Sequence, residues 1–370
     1  MDWQRRRRAK QAIISRCHSG LDARTLLVET SRCMAQVVPW DRACWHTVDP
    51  ATLLFTSAFA EHLGAGEPRL PVHEYEIDDV IKWAWLARRP WPVGLLRQAT
   101  HGHPEASPRF RELLGPRGIG EELRASFVAE GRCWGCFGIF RDRGRPEFTE
   151  DEAAFVAEVD QAIAAGLRRA LLLDAVAAAG PAADGPGLLL FDRHGELVEA
   201  NRVGAELLAQ FPDDHAPAGQ PVPHTVLAVA VRARHAAAGG DQEPARSRAR
   251  TLDGRWMVLH GTLLGDGTDA HTAVIIEPAR PAELAELIVL AYGLTRRERA
   301  VTRLVIQGQS TGEIARTLHL SPFTVQDHLK VVFDKVGVRS RRQLVATVFR
   351  DHYWPQVLQD APVGQDGWYG

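Results

Sequence analysis

Between residues 294 and 349 the apolar positions recur three and four apart in four short runs. Each run is preceded by a Ser or Thr of the kind that caps a helix. Thr295-x-x-Glu298 is a capping box, in which hydroxyl and carboxylate each meet a backbone N–H of the other residue. Val301, Leu304 and Val305 follow on one face, and Gly308 suits a C-terminal stop. Ser310-x-x-Glu313 is a second box, opening a short helix over Ile314–Leu318. Ser321-Pro322 opens a third helix, because proline at the first helical position loses no hydrogen bond. Val325, Leu329, Val332 and Val336 form its stripe, and Gly337 ends it. Ser340-x-x-Gln343 opens a fourth, with Leu344, Val345 and Val348 apolar. The spacing predicts a compact all-α unit whose middle pair is a short helix, a tight turn and a longer helix.

The upstream pattern mixes periods of 3.6 and 2. Leu21–Val38 reads as an amphipathic helix ending at Pro39. Arg42–Val48 and Thr52–Phe59 read as strands parted by Asp49-Pro50. Glu122–Ala129 and Cys133–Arg141 form a second β pair across Glu130-Gly131. Thr149-x-x-Glu152 opens a long helix with Phe155, Val159, Ile163 and Leu167 in register. Residues 180–187 (GPAADGPG) have linker composition. From Gly187 a strand, a glycine turn, a second strand, Glu199-Ala200-Asn201 and a helix follow. Pro212–Pro223 reads as a loop. Arg246–Thr251, Trp256–Leu264 and His271–Glu277 read as three more strands, and Glu283–Ala291 as a helical connector.

The C-terminal block resembles the LuxR-type (NarL/FixJ-type) helix-turn-helix. The resemblance is carried by Leu294-Thr295, Glu298, Val301, Leu304, Gly308, Glu313-Ile314-Ala315, Leu318, Ser321, Thr324-Val325, His328, Lys335, Gly337 and Ser340-Arg341. It implies that Pro322–Val336 is a recognition helix entering the major groove of duplex DNA. It also implies that the fourth helix pairs two copies of the domain. Gln326, Asp327 and Lys330 would then face bases, with Thr324, Lys335 and Arg341 near phosphates. Gln can pair with adenine, Asp can accept from cytosine N4, and Lys can meet guanine or a phosphate. Two positions depart from the family pattern. Gly312 stands where a Lys is common, which removes a phosphate contact. Asp327 is acidic where a polyanion approaches, so it either reads a base or points away.

Helices flanking an antiparallel sheet, closed by a long exit helix, make residues 1–178 resemble a GAF domain. The order from Gly187 onward makes residues 179–280 resemble a PAS domain. The expected fold class is therefore multidomain: α+β sensor modules, GAF-like and PAS-like, then a connector at 281–293. An all-α four-helix LuxR-type unit at 294–354 and a tail at 355–370 complete it.

Charge agrees with this division. Residues 293–354 hold nine Arg and two Lys against two Glu and three Asp, a net of 9 + 2 − 2 − 3 = +6. The whole chain carries −2, so the remainder carries −8. Positive charge thus gathers where phosphates would lie. The four lysines, Lys10, Lys82, Lys330 and Lys335, stand in no Gly-Lys-Ser/Thr motif, so no phosphate-cradling loop is expected. No strand-ending Asp cluster with a partnering Lys is evident, which argues against control by aspartyl phosphorylation. The start of the chain lacks the apolar core of a signal peptide, and no apolar run reaches membrane-spanning length. A cytoplasmic protein making no membrane contact is expected. Five cysteines, an odd number, point to free thiols in that compartment.

Several groups could carry chemistry. Seven of the ten tryptophans precede residue 135. Trp45, Trp83, Trp85, Trp91 and Trp134 are candidates to line a small-molecule pocket, with core packing as the alternative. Cys133-Trp134-Gly135-Cys136 is a CxxC, but on a strand residues three apart face opposite sides, which is poor geometry for a shared bond or metal. His101 and His103 lack further ligands at metal spacing, and His328 reads as a packed structural residue. Arg5–Arg8 reads as a solvated helix end. His-Glu-x-x-His does not occur, and no nucleophile–base pair stands out. No enzyme activity, cofactor or metal is expected. The expected partners are duplex DNA, a second copy of the chain and a small-molecule effector, with RNA polymerase a further candidate. For the upstream modules the alternatives are ligand-free dimerisation or interaction scaffolds, or a thiol- or metal-based sensor.

Overall fold

The computed structural model describes residues 3–64, 67–176, 185–213, 222–240, 243–265, 270–279, 283, 287 and 292–350. The tail at 355–370, residues 351–354 of the C-terminal unit, most of the connector at 281–293, residues 180–184 of the linker and 214–221 of the loop lie outside them. Two compact units form: Met1–Ala170 with Gly180–Pro278, and Leu171–Ala179 with Ala279–Gly370.

The first unit begins with α1 (Trp3–His18) and α2 (Ala23–Ala35), then β1 (Arg42–Val48) and β2 (Phe55–Glu61). Short helices α3 (Leu70–Tyr75) and α4 (Trp83–Leu86), β3 (Val93–Leu95) and α5 (Leu96–Ala99) lead to β4 (Ile119–Ala129) and β5 (Arg132–Asp142). The long α6 (Glu150–Val176) follows. Its capping box is formed: the Thr149 N–H donates to Glu152 Oε2 at 2.8 Å, and the Glu152 N–H donates back to Thr149 Oγ1 at 3.2 Å. The sheet is antiparallel, in the order β2-β1-β5-β4-β3. At the β4–β5 turn Glu130 and Gly131 both take positive φ, 52° and 71°, which a two-residue hairpin of this twist requires. This α+β module has the order the sequence predicted, helices around an antiparallel sheet followed by a long helix.

The second sheet repeats that connectivity. It uses β6 (Gly187–Phe191), β7 (Leu197–Ala200), β8 (Arg246–Arg250), β9 (Trp256–Leu264) and β10 (His271–Pro278), in the order β7-β6-β10-β9-β8. Asn201 caps α7 (Arg202–Leu208), its side chain accepting from the Gly204 N–H at 2.7 Å. The sequence reading lacked α8 (His224–Ala237), in which ten consecutive residues, His224 to Ala233, are buried. A helix buried all round shows no polar stripe to mark its period. It packs on β9 and β10 of its own sheet and on α3 and β2 of the first. Close approach is possible because β9 has Gly261 there: a Cβ at that position would sit 2.7 Å from the Val229 carbonyl oxygen.

Polar contacts seal this junction. Arg248 donates from Nε and Nη2 to Asp49 at 2.8 Å each, and its own N–H adds a third bond at 3.0 Å. Both side chains are buried. Arg234 Nη2 reaches Glu76 at 2.6 Å, and the Ala58 N–H donates to the Pro212 carbonyl at 3.1 Å. The two sheets expected as separate domains therefore share one hydrophobic core.

The CxxC departs from expectation. The β4–β5 register shifts at Phe127/Val128, pairing Val128 with Cys133 and Ser126 with Cys136. The bulge removes one residue from the alternation, so both thiols lie on the same face of the sheet. Burial pushes the Cys133 thiol up to about 12 and Cys136 well above its ordinary value. All five cysteines are free. Of the arginine run, Arg5, Arg7 and Arg8 are exposed while Arg6 pairs with Glu158 at 2.6 Å.

Two outcomes test this packing. Asp49→Ala strands a buried guanidinium, and urea denaturation of the full chain should show a loss of ~3–5 kcal/mol. Burial also raises the Asp160 carboxyl from 3.8 to about 6. A raised folded-state value means its contribution to stability is present below 3.8 and lost as pH rises through about 6. Asp160→Asn should therefore raise the melting temperature at pH 7.5 and leave it nearly unchanged at pH 3.5.

Candidate nucleic-acid interface

The second unit contains α9 (Arg296–Ile306), α10 (Thr311–Leu318), α11 (Pro322–Val336) and α12 (Arg341–Arg350). Helix α10 begins three residues earlier than expected, directly after its cap. Both capping boxes form. The Thr295 N–H donates to Glu298 at 2.8 Å and the Ser310 N–H to Glu313 at 2.6 Å, and the reciprocal bonds are each 3.3 Å. Ser321 accepts from the Thr324 N–H at 3.0 Å, and Ser340 from the Gln343 N–H at 3.1 Å. The αL residue Gly337, φ 75°, ends α11. Between α10 and α11 the chain turns in three residues, with His319 at φ 52°. Val301, Val305, Ile314, Ala315, Val325, Leu329, Val332 and Leu344 form a common core with Leu294. This core holds α10 and α11 as a helix-turn-helix.

With that stripe buried, Gln326, Asp327 and Lys330 are exposed on α11. Asp327 and Lys330 make no hydrogen bond or ion pair among the described residues. Gln326 Nε2 donates weakly to Thr311 on α10 at 3.5 Å. His328 is partly buried. A side of α11 carrying one amide, one carboxylate and one ammonium can address base edges and phosphates.

The three residues expected near phosphates are placed otherwise engaged. Thr324 Oγ1 lies 2.8 Å from Ser321 Oγ within the cap. Lys335 Nζ donates to Glu298 Oε2 at 2.8 Å and to the Gly293 carbonyl at 3.0 Å. Arg341 donates to the Gln309 carbonyl at the α9–α10 turn. Lys335 thus ties the end of α11 to the cap of α9, and Arg341 ties the start of α12 to the turn before α10. Burial raises the Glu298 carboxyl, but the bonds from Lys335 and Thr295 outweigh this and hold it below its ordinary value. Gly312 has open space around it: nothing lies within 4 Å of where a Cβ would be.

One residue on α11 escaped the sequence reading. Phe323 is 81% exposed, the most exposed large apolar side chain described. It stands four residues before Asp327 and seven before Lys330, a helical spacing that could have revealed it.

The tryptophan set divides in the first unit. Trp45 is buried against Phe137 and Phe127, with centroids 4.6 and 5.9 Å away. Trp83 is buried, donates to the Phe137 carbonyl at 3.0 Å, and lies under the Arg124 guanidinium at 3.4 Å. Trp134 is buried, while Trp85 and Trp91 are about half exposed. Around Trp83 a buried network fills the sheet face: Arg109 pairs with Asp79 at 3.1 Å and Glu122 at 2.9 Å, and Arg124 with Glu74 at 2.9 Å. A groove of about 370 Å³ lies by Arg97, Gln98, His101, Glu121, Glu147 and Glu150, with no tryptophan in its lining. Among the described residues no group of His, Cys, Asp or Glu is placed to hold a metal, and no helix is long and apolar enough to cross a membrane.

Residues 293–348 match the family described as "Bacterial regulatory proteins, luxR family". The spore germination protein GerE of Bacillus subtilis is 42% identical over 57 residues, covering 15% of this chain and 77% of that protein. An HTH-type transcriptional regulator of Mycobacterium tuberculosis is 54% identical over 52 residues, covering 14% of this chain. The aligned part of the chain spans only 6% of that relative's length. Among solved structures, the GAF domain of a phosphoenolpyruvate-protein phosphotransferase from Coxiella burnetii is 13% identical. It covers 46% of this chain and 97% of that chain with a TM-score of 0.32, a likeness too low to carry an argument about ligands.

The Lys335–Glu298 tie has a measurable consequence. Because Glu298 is held low, its contribution is present above the ordinary carboxylate range and lost as pH falls below it. Glu298→Ala, which also removes a cap bond, should destabilise this unit by ~1–2 kcal/mol at pH 7 in denaturant titrations followed at this unit. The deficit should shrink toward pH 3.

Proposed function

The chain belongs to the luxR family of bacterial regulatory proteins, and on that premise we propose that it is a homodimeric transcription regulator that reads duplex DNA with α11. The observation that carries this is the exposed set Gln326, Asp327 and Lys330, opposite the buried stripe of a helix-turn-helix and within a segment of net charge +6. In this reading Lys330 and Gln326 address bases, with Asp327 beside them as a discriminating acceptor. Thr324, Lys335 and Arg341 serve DNA mainly by holding α11 and α12 in place, since each already has an internal partner. Helix α12 pairs two copies, and RNA polymerase is the downstream partner in a cytoplasmic setting.

The upstream unit, a GAF-like sheet with a PAS-like sheet beside it, controls that output. One reading is a small-molecule effector that favours one dimer arrangement through its differential affinity. A second reading, a ligand-free dimerisation scaffold, is favoured by a specific observation. Both faces of the first sheet are filled, one by Trp45, Phe127 and Phe137 and the other by the Arg109–Glu122–Arg124–Glu74 network. Native mass spectrometry of the purified full chain separates the two: a co-purifying small molecule supports the effector, and a bare dimer supports the scaffold.

Two substitutions test DNA reading. Lys330→Ala should cost roughly 1–3 kcal/mol on the preferred sequence and less on random duplex if it reads a base. An equal loss on all sequences, with a shallower salt slope, would mean a phosphate contact instead. Gly312→Lys adds a cation where space is open, so affinity should rise on every duplex. The log–log salt slope should steepen by about 0.9.

A further inference from the structure

We propose that Phe323 is a specificity-determining residue that reads a thymine methyl group in the operator. The inference rests on the DNA-reading role of α11 and goes beyond the polar positions assigned to it. Phe323 occupies the first turn of α11, next to the cap made by Ser321. Its ring is 81% exposed, and Val331 on the same helix is 40% exposed. Positions 323, 327, 330 and 334 recur at four, seven and eleven residues, so Phe323 shares one helical face with Asp327, Lys330 and Asp334.

A recognition helix enters the major groove with its N-terminal half leading, so this ring enters first. Phosphate oxygens and most base edges offer an aliphatic or aromatic side chain nothing. The one apolar group displayed in that groove is the C5-methyl of thymine, which apolar side chains contact. A phenyl ring is large enough to cover it and, through burial in the interface, recovers the apolar area it leaves in water when free. Lys330 and the +6 charge of the segment supply the attraction to the duplex, and the ring adds discrimination among sequences.

The test uses the full chain and duplexes that it selects from a random pool. Each thymine of the selected site is replaced in turn by deoxyuridine, which lacks only the methyl group. Affinity is read by fluorescence anisotropy for wild type, Phe323→Ala and Phe323→Leu. The expected result is one thymine per half-site whose replacement weakens wild-type binding by about fourfold, the worth of one buried methyl. That replacement should have no effect on Phe323→Ala and an intermediate effect on Phe323→Leu. A flat deoxyuridine scan on a site that wild type does select would overturn the inference and leave the DNA reading intact. Failure of wild type to select any sequence would sink the DNA reading itself. A Phe323→Ala protein that keeps both affinity and deoxyuridine sensitivity but loses transcription with purified RNA polymerase would reassign the ring to a polymerase contact.

Discussion

Helix α8 has no face left for solvent along most of its length, and the architecture of the first unit follows from that constraint. Ten successive residues, His224 to Ala233, are buried because one side packs on β9 and β10 and the other on α3 and β2. A glycine at 261 lets the strand approach, and the Asp49–Arg248 pair joins β8 to the end of β1. A buried ion pair adds little net stability, but breaking it is costly, so it fixes how the two sheets meet more than how strongly they hold. Two sheets of identical strand order thereby become one body with one core.

The helix-turn-helix unit is organised differently. Its order comes from short-range bonds: two capping boxes, two serine caps and a left-handed glycine stop. Long-range polar closure is confined to a few side chains. Lys335 reaches the Glu298 carboxylate that already completes the first box, so the cap of α9 and the end of α11 share one charged group. Arg341 does the same for α12 and the α9–α10 turn. Cations that could meet phosphates are used to hold the presenting scaffold. Lys330 is left exposed and without an internal partner among the described residues. In the proposed reading, positioning and base contact thus fall to different residues of the same fifty-odd positions.

What the sequence made legible follows this contrast. Caps, glycine stops and amphipathic stripes are local signals, and α9 to α12 each begin directly after the cap the sequence shows. The hairpin at Glu130-Gly131 was legible for the same reason. Helix α8 was not, since burial on two sides erases the polar periodicity by which a helix is recognised. The CxxC misled because a bulge at Trp134 breaks the alternation that the face argument assumed. Composition could not tell a packed ring from a pocket wall: Trp45 and Trp83 are core, while Trp85 and Trp91 lie at the surface. Lys335 and Arg341 carried the right charge, but their partners, 37 and 32 residues away, were invisible to local pattern.

The central claim is that the output of the chain is duplex recognition by paired copies of α11. Hydroxyl-radical footprinting of the full chain on genomic fragments that it retains addresses this directly. Two protected patches about one helical turn apart, on one side of the duplex, are the predicted result for a dimer placing two recognition helices in successive major grooves. A single patch without that periodicity would contradict the paired arrangement, and no protection on any fragment would contradict DNA recognition.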